Sequence, residues 1–487
     1  MSPGSGRHGI QGCWGRTPSF QRAESIRPAD ALDERGRVRS ALRRPIGSPR
    51  LSEIRPKRRP VVLIVDDDTR PTPAHRFLDL LLNELEGAGI AARDVLLIPA
   101  LGIHTPMTRR EMEAKVGAGN LSRISWENHD AFRRDANHLF GTTCRGTPVL
   151  LNRHLREAGL VILVGMVEPH LWAGFGGGLK NILPGVAHVE TIAAHHGIIA
   201  EPPYLFNRVG TDPRANSFRG DLEEVAAMVD APVFCLNVVL DHAGAVLAAF
   251  AGDPVACHRA AVDFNRSLSG RLLDRRVDGV ITASHPMNIN FKQSMKCVGN
   301  VLPALKPRGV VTGFLRAERG LDDVKVPEKG KPLWFTKRLL RLLGPSRVMG
   351  LQERVRPGLN VEEKFLVYYT MQLMREHDLF LCVPTLDAEA ANRLGFFRHA
   401  TDPQEIIARA RAGFRNTPRW PSFPRAAPPF PSWAVRKVFV ARTRGLSRRA
   451  APAVTRSRWQ RPCGGLTLGV NTFQRGRARE MYVRGVS

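Results

Sequence analysis

The sequence predicts an α/β protein of two α/β domains, flanked by disordered basic tails. Three observations carry that expectation. Continuous β-branched runs alternate with stretches of helical period from residue 61 onward, polar and glycine-rich motifs fall just past those runs, and the positive charge sits almost wholly at the two ends. With 487 residues, 43% hydrophobic and 24% charged, the chain is long enough for more than one buried core. Of the net charge of +27, residues 1–60 hold fourteen Lys/Arg against five Asp/Glu and residues 415–487 hold sixteen against one, which leaves +3 for residues 61–414. A basic balance of that size ordinarily points to nucleic acid. Here it restricts that reading to sequence-blind contacts by the ends, 1–58 and 415–487, where Arg mixes with Pro, Gly and Ser.

Val61–Val65 is a continuous β-branched run of the kind covered on both faces. Asp66-Asp67-Asp68-Thr69-Arg70-Pro71-Thr72-Pro73 stops it, and Phe77, Leu78, Leu81, Leu82 and Leu85 then recur at helical spacing. Asp94–Pro99 reads as a second strand and Thr108-Arg109-Arg110-Glu111 as a capping box, with Leu101-Gly102-Ile103-His104 between them. A third strand, Leu160–Gly165, runs into Glu168-Pro169-His170 and the cluster Gly174-Phe175-Gly176-Gly177-Gly178-Leu179-Lys180. A hairpin of Val233–Leu240 and Ala245–Ala251 closes a first domain, 59–275. The pattern restarts at Val277–Thr282. Helix-like Gln293–Val301, strand-like Gly309–Phe314, helix-like Val361–His377, strand-like Asp378–Val383 and a last helix, Asp402–Ala412, make a second domain, 276–414.

In open α/β sheets the ligand crevice lies beyond the carboxyl ends of the strands, where Asp67, Arg70, His104 and His170 fall. Each has a plainer explanation. Asp66–Thr69 would serve as a helix cap, and a lone loop histidine is usually only solvated. The glycines offer amide donors to an anion, or simply a hinge; the triphosphatase loop is excluded because Asn181 follows Lys180. His188, His195 and His196 cluster without a His-Glu-x-x-His helix, which disfavours a stand-alone zinc hydrolase. Seven cysteines without a Cys-x-x-Cys pair read as reduced core thiols of a cytoplasmic protein, and no apolar run of about 18 residues suggests a membrane partner.

Taken together, these segments resemble the nickel-pincer lactate racemase family. The likeness runs through Asp66–Pro71, Gly102-Ile103-His104 with Met107-Thr108 and Glu111, Glu168-Pro169-His170, Ala173–Lys180 with Pro184-Gly185, His196, and Gln293 and Lys296. It implies a racemase or epimerase of a small α-hydroxy acid that works by reversible hydride transfer to a nickel-pincer nucleotide. That cofactor is a pyridinium mononucleotide whose two sulfur arms and one ring carbon grip nickel. The resemblance further implies that the cofactor is bound covalently to Lys180 and supplied by cofactor-biosynthesis proteins. Asp67, Thr69, Gly174, Gly177 and Gly178 would lie around it and His196 would ligate the nickel. His104 and His170 are implied as acid/base pair, and Arg70, Gln293 and Lys296 as substrate-binding groups, which implies an interdomain active-site cleft. Two residues depart from the pattern: Gly176 stands where the family commonly has serine, and Lys292 where lactate-specific members have tyrosine. An extra cation at 292 favours a substrate with a second carboxylate or another polar substituent. The readings kept beside it are a phosphometabolite-binding α/β protein without pincer chemistry and a tail-mediated nucleic-acid-associated protein.

Overall fold

The computed structural model describes residues 33–56, 60–197, 208–241, 243–269, 276–285, 287–322, 324, 326–355, 361–415 and 439–440. Its first domain is built on β1 (Val61–Asp66), β2 (Val95–Ala100) and β3 (Ser125–Trp126), a separate hairpin of β4 (Asn137–Thr142) and β5 (Pro148–Asn152), and β6 (Leu160–Met166). A small ribbon of β7 (Pro169–His170) and β8 (Gly174–Phe175) follows, then β9 (Val233–Leu240) and β10 (Val246–Gly252). Six of these form one sheet in the order β10-β9-β6-β1-β2-β3, parallel except for the edge strand β10.

Every residue of β1 and of β6 is buried, which is why both read as unbroken apolar runs. One face packs Leu63 and Val65 against Leu78, Leu81, Leu82 and Leu85, the other packs Val62 and Ile64 against Leu179, Ile182 and Leu183. Each such side chain contributes about 1.5–3 kcal/mol by leaving water. The register sets Asp66 opposite Ala100 and Val65 opposite Val164. The three segments that follow β1, β2 and β6 therefore emerge on one edge, and the strand order reverses between β1 and β6, where a crevice opens in such sheets.

The second domain holds a five-stranded sheet of β11 (Val277–Ala283), β12 (Leu305–Phe314), β13 (Asp378–Cys382), β14 (Arg398–Ala400) and β15 (Phe439–Val440), in the order β14-β13-β12-β11-β15. All pairs are parallel except β11 with β15. Ala173 and Phe218 of the first domain share a core with Val298, Val301, Tyr369 and Leu381 of the second, so the two halves meet through packed apolar side chains.

Several expectations need correction. Residues 33–56, assigned above to the disordered extension 1–58, are built into the first domain. In the helix Glu34–Arg43, Val38 and Leu42 sit four apart and are buried, Arg37 Nη1 donates to the Val246 carbonyl at 3.0 Å, and Ile46 bridges Gly252. Two apolar residues among four arginines are a faint signal that packing makes decisive. Residues 1–32 and most of 415–487 lie outside the described residues, but Arg415 ends the helix Pro403–Arg415, and β15 belongs to the second sheet. After the glycine cluster the chain makes only a single 3-10 turn, Gly178–Asn181. Cys235, Cys257, Cys297 and Cys382 are buried thiols as expected, whereas Cys144 is exposed. Among the described residues no helix is long and apolar enough to cross a membrane.

Candidate active site

The loop after β1 is held by ionic and backbone bonds rather than acting as a helix cap. Asp66 turns inward, where Lys115 Nζ approaches its Oδ1 to 2.6 Å and Thr72 Oγ1 donates to Oδ2 at 2.5 Å. The same Lys115 ammonium donates to the carbonyls of Asp67 (2.9 Å) and Arg70 (2.8 Å). Lys115, which carries no motif signal, thereby fixes the loop that presents Asp67, Thr69 and Arg70.

Asp67 is buried and accepts from Thr69 Oγ1 at 2.6 Å through Oδ1. Its Oδ2 meets His104 Nδ1 at 2.5 Å. Burial alone would raise this carboxyl, but the hydrogen bond and charge of His104, with Arg70 and Thr69, push it well below the usual carboxylate range. A carboxylate only accepts, so Nδ1 of His104 carries a proton, and the neutral form of the ring has its lone pair on Nε2. Arg70 Nη1 donates to Thr69 Oγ1 at 2.8 Å, and its Nε lies 3.7 Å from Glu168 Oε1.

Glu168, at the end of the segment after β6, joins the two domains. Its buried Oε1 also lies 3.4 Å from Nζ of Lys296. Burial and the Arg70 charge lower the Lys296 ammonium while Glu168 and Asp67 raise it, for a net value pushed down to about 8. Gln293, one turn earlier, is buried, and no hydrogen bond satisfies its Oε1 among the described residues. A buried amide oxygen without a partner is costly in a closed protein and suits a site meant to receive a donor from a ligand. Sequence reasoning quoted Glu168 but gave it no role.

On the ribbon of β7 and β8, His170 Nδ1 accepts from the backbone amides of Trp172 (3.2 Å) and Ala173 (3.4 Å), and its Nε2 lies 2.7 Å from Lys180 Nζ. Burial pushes both groups well below their ordinary values, and Arg70 and Lys296 act on each of them in the same direction. Edge-on ring contacts continue from His170 to Trp172 (5.6 Å between centroids) and from Trp172 to His196 (5.2 Å). His196 Nδ1 donates to the Ile192 carbonyl at 2.9 Å, which leaves its lone pair on Nε2, the form that ligates a metal. His195 instead turns inward, bonded to the Phe218 carbonyl.

The glycines are demanded by the protein's own backbone. A Cβ on Gly174 (φ +72°) would stand 2.5 Å from the Thr211 carbonyl oxygen, and one on Gly177 (φ +76°) 2.4 Å from that of Met166. Gly178 lies against Arg219 and His258. The cluster is therefore packed and is no hinge. His258 Nε2 donates to the Gly176 carbonyl at 2.9 Å, Arg219 Nη1 to that of Gly177 at 3.2 Å, and Gly178 N donates to Asn237 Oδ1 at 3.0 Å. No motif announced Arg219 or His258, which come from helices far along the chain. A Cβ on Gly176 would meet only ordinary contacts, with Glu168 at 3.7 Å, so serine fits there too.

Arg70, Asp67, Thr69, His104, Lys296, His170, Lys180 and His196 thus form one connected set, and Gln293 stands beside Lys296. Among the described residues no group of three or more His, Cys, Asp or Glu side chains gathers to hold a metal ion. His196 suits a metal whose remaining donors arrive with a cofactor, and the lowered Lys180 amine suits covalent attachment of one. The donor set fits a cofactor that bears an electrophilic acyl-type group and carries its own metal donors.

Residues 18–204 match the lactate racemase N-terminal domain family. The lactate racemase of Thermoanaerobacterium thermosaccharolyticum is 33% identical over 283 residues, 58% of this chain and 65% of its own length. That of Lactiplantibacillus plantarum is 33% identical over 267 residues, 54% of this chain and 62% of its own. The aligned part therefore spans a little under two thirds of each relative. The solved lactate racemase apoprotein from T. thermosaccharolyticum superposes with a TM-score of 0.66 at 27% identity, covering 78% of this chain and 88% of its own. A Thermotoga maritima protein, at TM-score 0.56 and 18% identity, shows the same fold over 78% of this chain. In the sequence of its first domain and in the fold of most of its length, the chain resembles the lactate racemases.

Proposed function

We propose that the protein is an isomerase, a racemase or epimerase of a small α-hydroxy acid. The observation that carries this reading is the opposite protonation of two histidines in one cluster. His104, with its proton held at Nδ1 by Asp67, offers a lone pair at Nε2; His170, whose Nδ1 accepts two backbone amides, offers a proton at Nε2. Inversion of a hydroxyl-bearing carbon needs a base for the hydroxyl of one enantiomer and an acid for the alkoxide of the other, and the roles exchange in the reverse direction.

Arg70 and Lys296 give the substrate carboxylate a bidentate fork and a point charge from opposite domains. Gln293 supplies the buried acceptor or donor that orients it. One oxygen of Glu168 bridges both cations without substrate. Lys180 and His196 would hold a nickel-pincer nucleotide, Lys180 by a covalent bond to its amine and His196 through Nε2, with Asp67, Thr69, Gly174, Gly177 and Gly178 around it. Such a cofactor supplies an acceptor for the α-hydrogen as hydride. Glu168 and Gln293 are buried where the two domains pack, while Arg70 and His104 keep part of their surface open to a ligand.

The test is intact-protein mass and turnover after co-production with cofactor-making enzymes. The chain should gain a nucleotide-sized adduct that the Lys180→Ala variant lacks. The loaded protein should also interconvert the enantiomers of at least one member of a panel of chiral hydroxy acids, read by chiral chromatography. An adduct-free chain would remove the cofactor from the proposal, and a loaded chain inert to the whole panel would remove the racemase.

A further inference from the structure

We propose that the outward face of the helix Leu333–Leu343, in the second domain, is a docking surface for an anionic lipid bilayer. Among the described residues eight large apolar side chains are exposed, and five of them, Trp334, Phe335, Leu342, Leu343 and Leu351, fall between residues 334 and 351. Trp334 is 70% and Leu342 72% exposed, which is unusual for side chains of that size on a helix already packed to its domain. Helical spacing sets Trp334, Arg338, Arg341 and Leu342 along one stripe, with Phe335 at its margin and its ring 5.9 Å from that of Trp334. The other side of the helix anchors it, with Lys337 at the border between the two. There Leu340 is buried, and Lys337 donates to the His377 carbonyl at 2.9 Å and to Asp378 Oδ1 at 2.5 Å. The fold is thus served by the inner side alone.

Charge selects the occupant. From Lys329 to Gln352 the sequence has six Lys/Arg and no Asp or Glu. Lys337 is buried, and the other five, Lys329, Lys331, Arg338, Arg341 and Arg347, are exposed. A second copy docked across a two-fold axis would set cation against cation. Trp334 and Phe335 could each stack a base, but Leu342, Leu343 and Leu351 outnumber them on this surface and offer a polar strand nothing, which favours an apolar partner over a single-stranded nucleic acid. An anionic bilayer satisfies both halves of the pattern. Indole and phenyl rings lie at the headgroup boundary, leucines reach the acyl chains, and guanidinium groups snorkel to the phosphates. Because no helix among the described residues is long and apolar enough to cross, the contact is peripheral. The absence of an apolar run, from which the sequence suggested no membrane partner, does not bear on a surface of this kind.

The experiment floats the full chain with vesicles of phosphatidylcholine, with and without phosphatidylglycerol. It compares wild type with the triple variant Trp334→Ser, Phe335→Ser, Leu342→Ser and with the double variant Arg338→Glu, Arg341→Glu. Wild type should float with the anionic vesicles alone, and both variants should bind them about tenfold more weakly or worse, with thermal midpoints unchanged. All three proteins keep the arginine-rich ends, so equal flotation would assign lipid binding to those ends and overturn the proposal. A wild type that never floats overturns it too. So does a concentration-dependent dimer, or binding to single-stranded DNA, that the variants lose in the absence of any vesicle effect. Should the triple variant fail to fold, the double variant, altered only at exposed charges, decides the matter.

Discussion

Lys180 Nζ lies 2.7 Å from His170 Nε2, and the far side of that imidazole fixes which of the two holds the proton between them. Nδ1 accepts from two backbone amides, so the ring proton of a neutral His170 is on Nε2 and points at the amine. Lys180 must then accept, which only an uncharged amine can do. Burial, with Arg70, Lys296 and Arg219 as neighbouring cations, drives its ammonium well below the ordinary value. A neutral amine is a nucleophile.

Lys180 is therefore expected to acylate fastest of all lysines at neutral pH when the cofactor-free protein meets a small electrophile such as acetic anhydride. Peptide mass spectrometry after brief exposure gives the rate at each lysine, and Lys180→Gln removes the fast site. Reactivity that rises only near pH 10, as for a solvent-exposed lysine, would show the amine to be charged at rest.

Asp67→Asn tests the other histidine. An amide at this position no longer anchors the His104 ring as a charged acceptor, and its NH₂ group can impose the wrong tautomer. The expected result is a fall in kcat of about 10²-fold or more with KM little changed, since the carboxylate of the substrate meets other groups. Stability carries a second signature. Asp67 is held below the usual carboxylate range, so its contribution is fully present above the unfolded value near 3.9 and is lost as the pH falls further. The gap in melting temperature between wild type and variant should shrink below about pH 4, and a gap that is constant down to pH 2 would deny the ion pair.

The positions of these groups were legible because buried parallel strands announce themselves and the register aligns their ends. Val61–Val65 and Leu160–Gly165 read as strands without help, and Asp67, Arg70, His104 and His170 follow from where those strands stop. What stayed hidden depends on long-range contacts. Lys115 pins the loop after β1 from a helix whose only sequence signal is its capping box, and Arg219 and His258 hold glycine carbonyls from 42 and 82 residues away. The glycines themselves were readable as unusual but not for their reason, which is the Met166 and Thr211 backbone rather than a ligand. Val38 and Leu42 were lost among arginines.

Gly177→Ala follows from that backbone. At φ +76° with a carbonyl oxygen 2.4 Å from the added Cβ, alanine must shift either the loop or Met166 at the end of β6. A destabilisation of about 1–3 kcal/mol is expected from the conformation, and more from the clash. Gly176→Ala, where the space is open, should melt within a degree or two of wild type. Equal melting of the two variants would contradict the packing described for this loop.

On the proposed reading, Lys296 gives the pH dependence of substrate binding. Burial and Arg70 outweigh the help of Glu168 and Asp67, so the ammonium loses its proton at about 8 rather than near 10.5. Below that value Lys296 is a cation and attracts the carboxylate of a hydroxy acid; above it the attraction is gone while Arg70 remains charged. KM of the cofactor-loaded protein should therefore rise as the pH passes through about 8. Free-enzyme groups govern kcat/KM, so the break should appear there as well, whereas kcat at saturating substrate should change less. Lys296→Arg, which keeps its charge throughout, should lose the break, and Lys296→Met should show a high KM that is flat with pH. A wild-type KM that does not change from pH 7 to 9 would place the carboxylate elsewhere, leaving Lys296 as a partner of Glu168 alone.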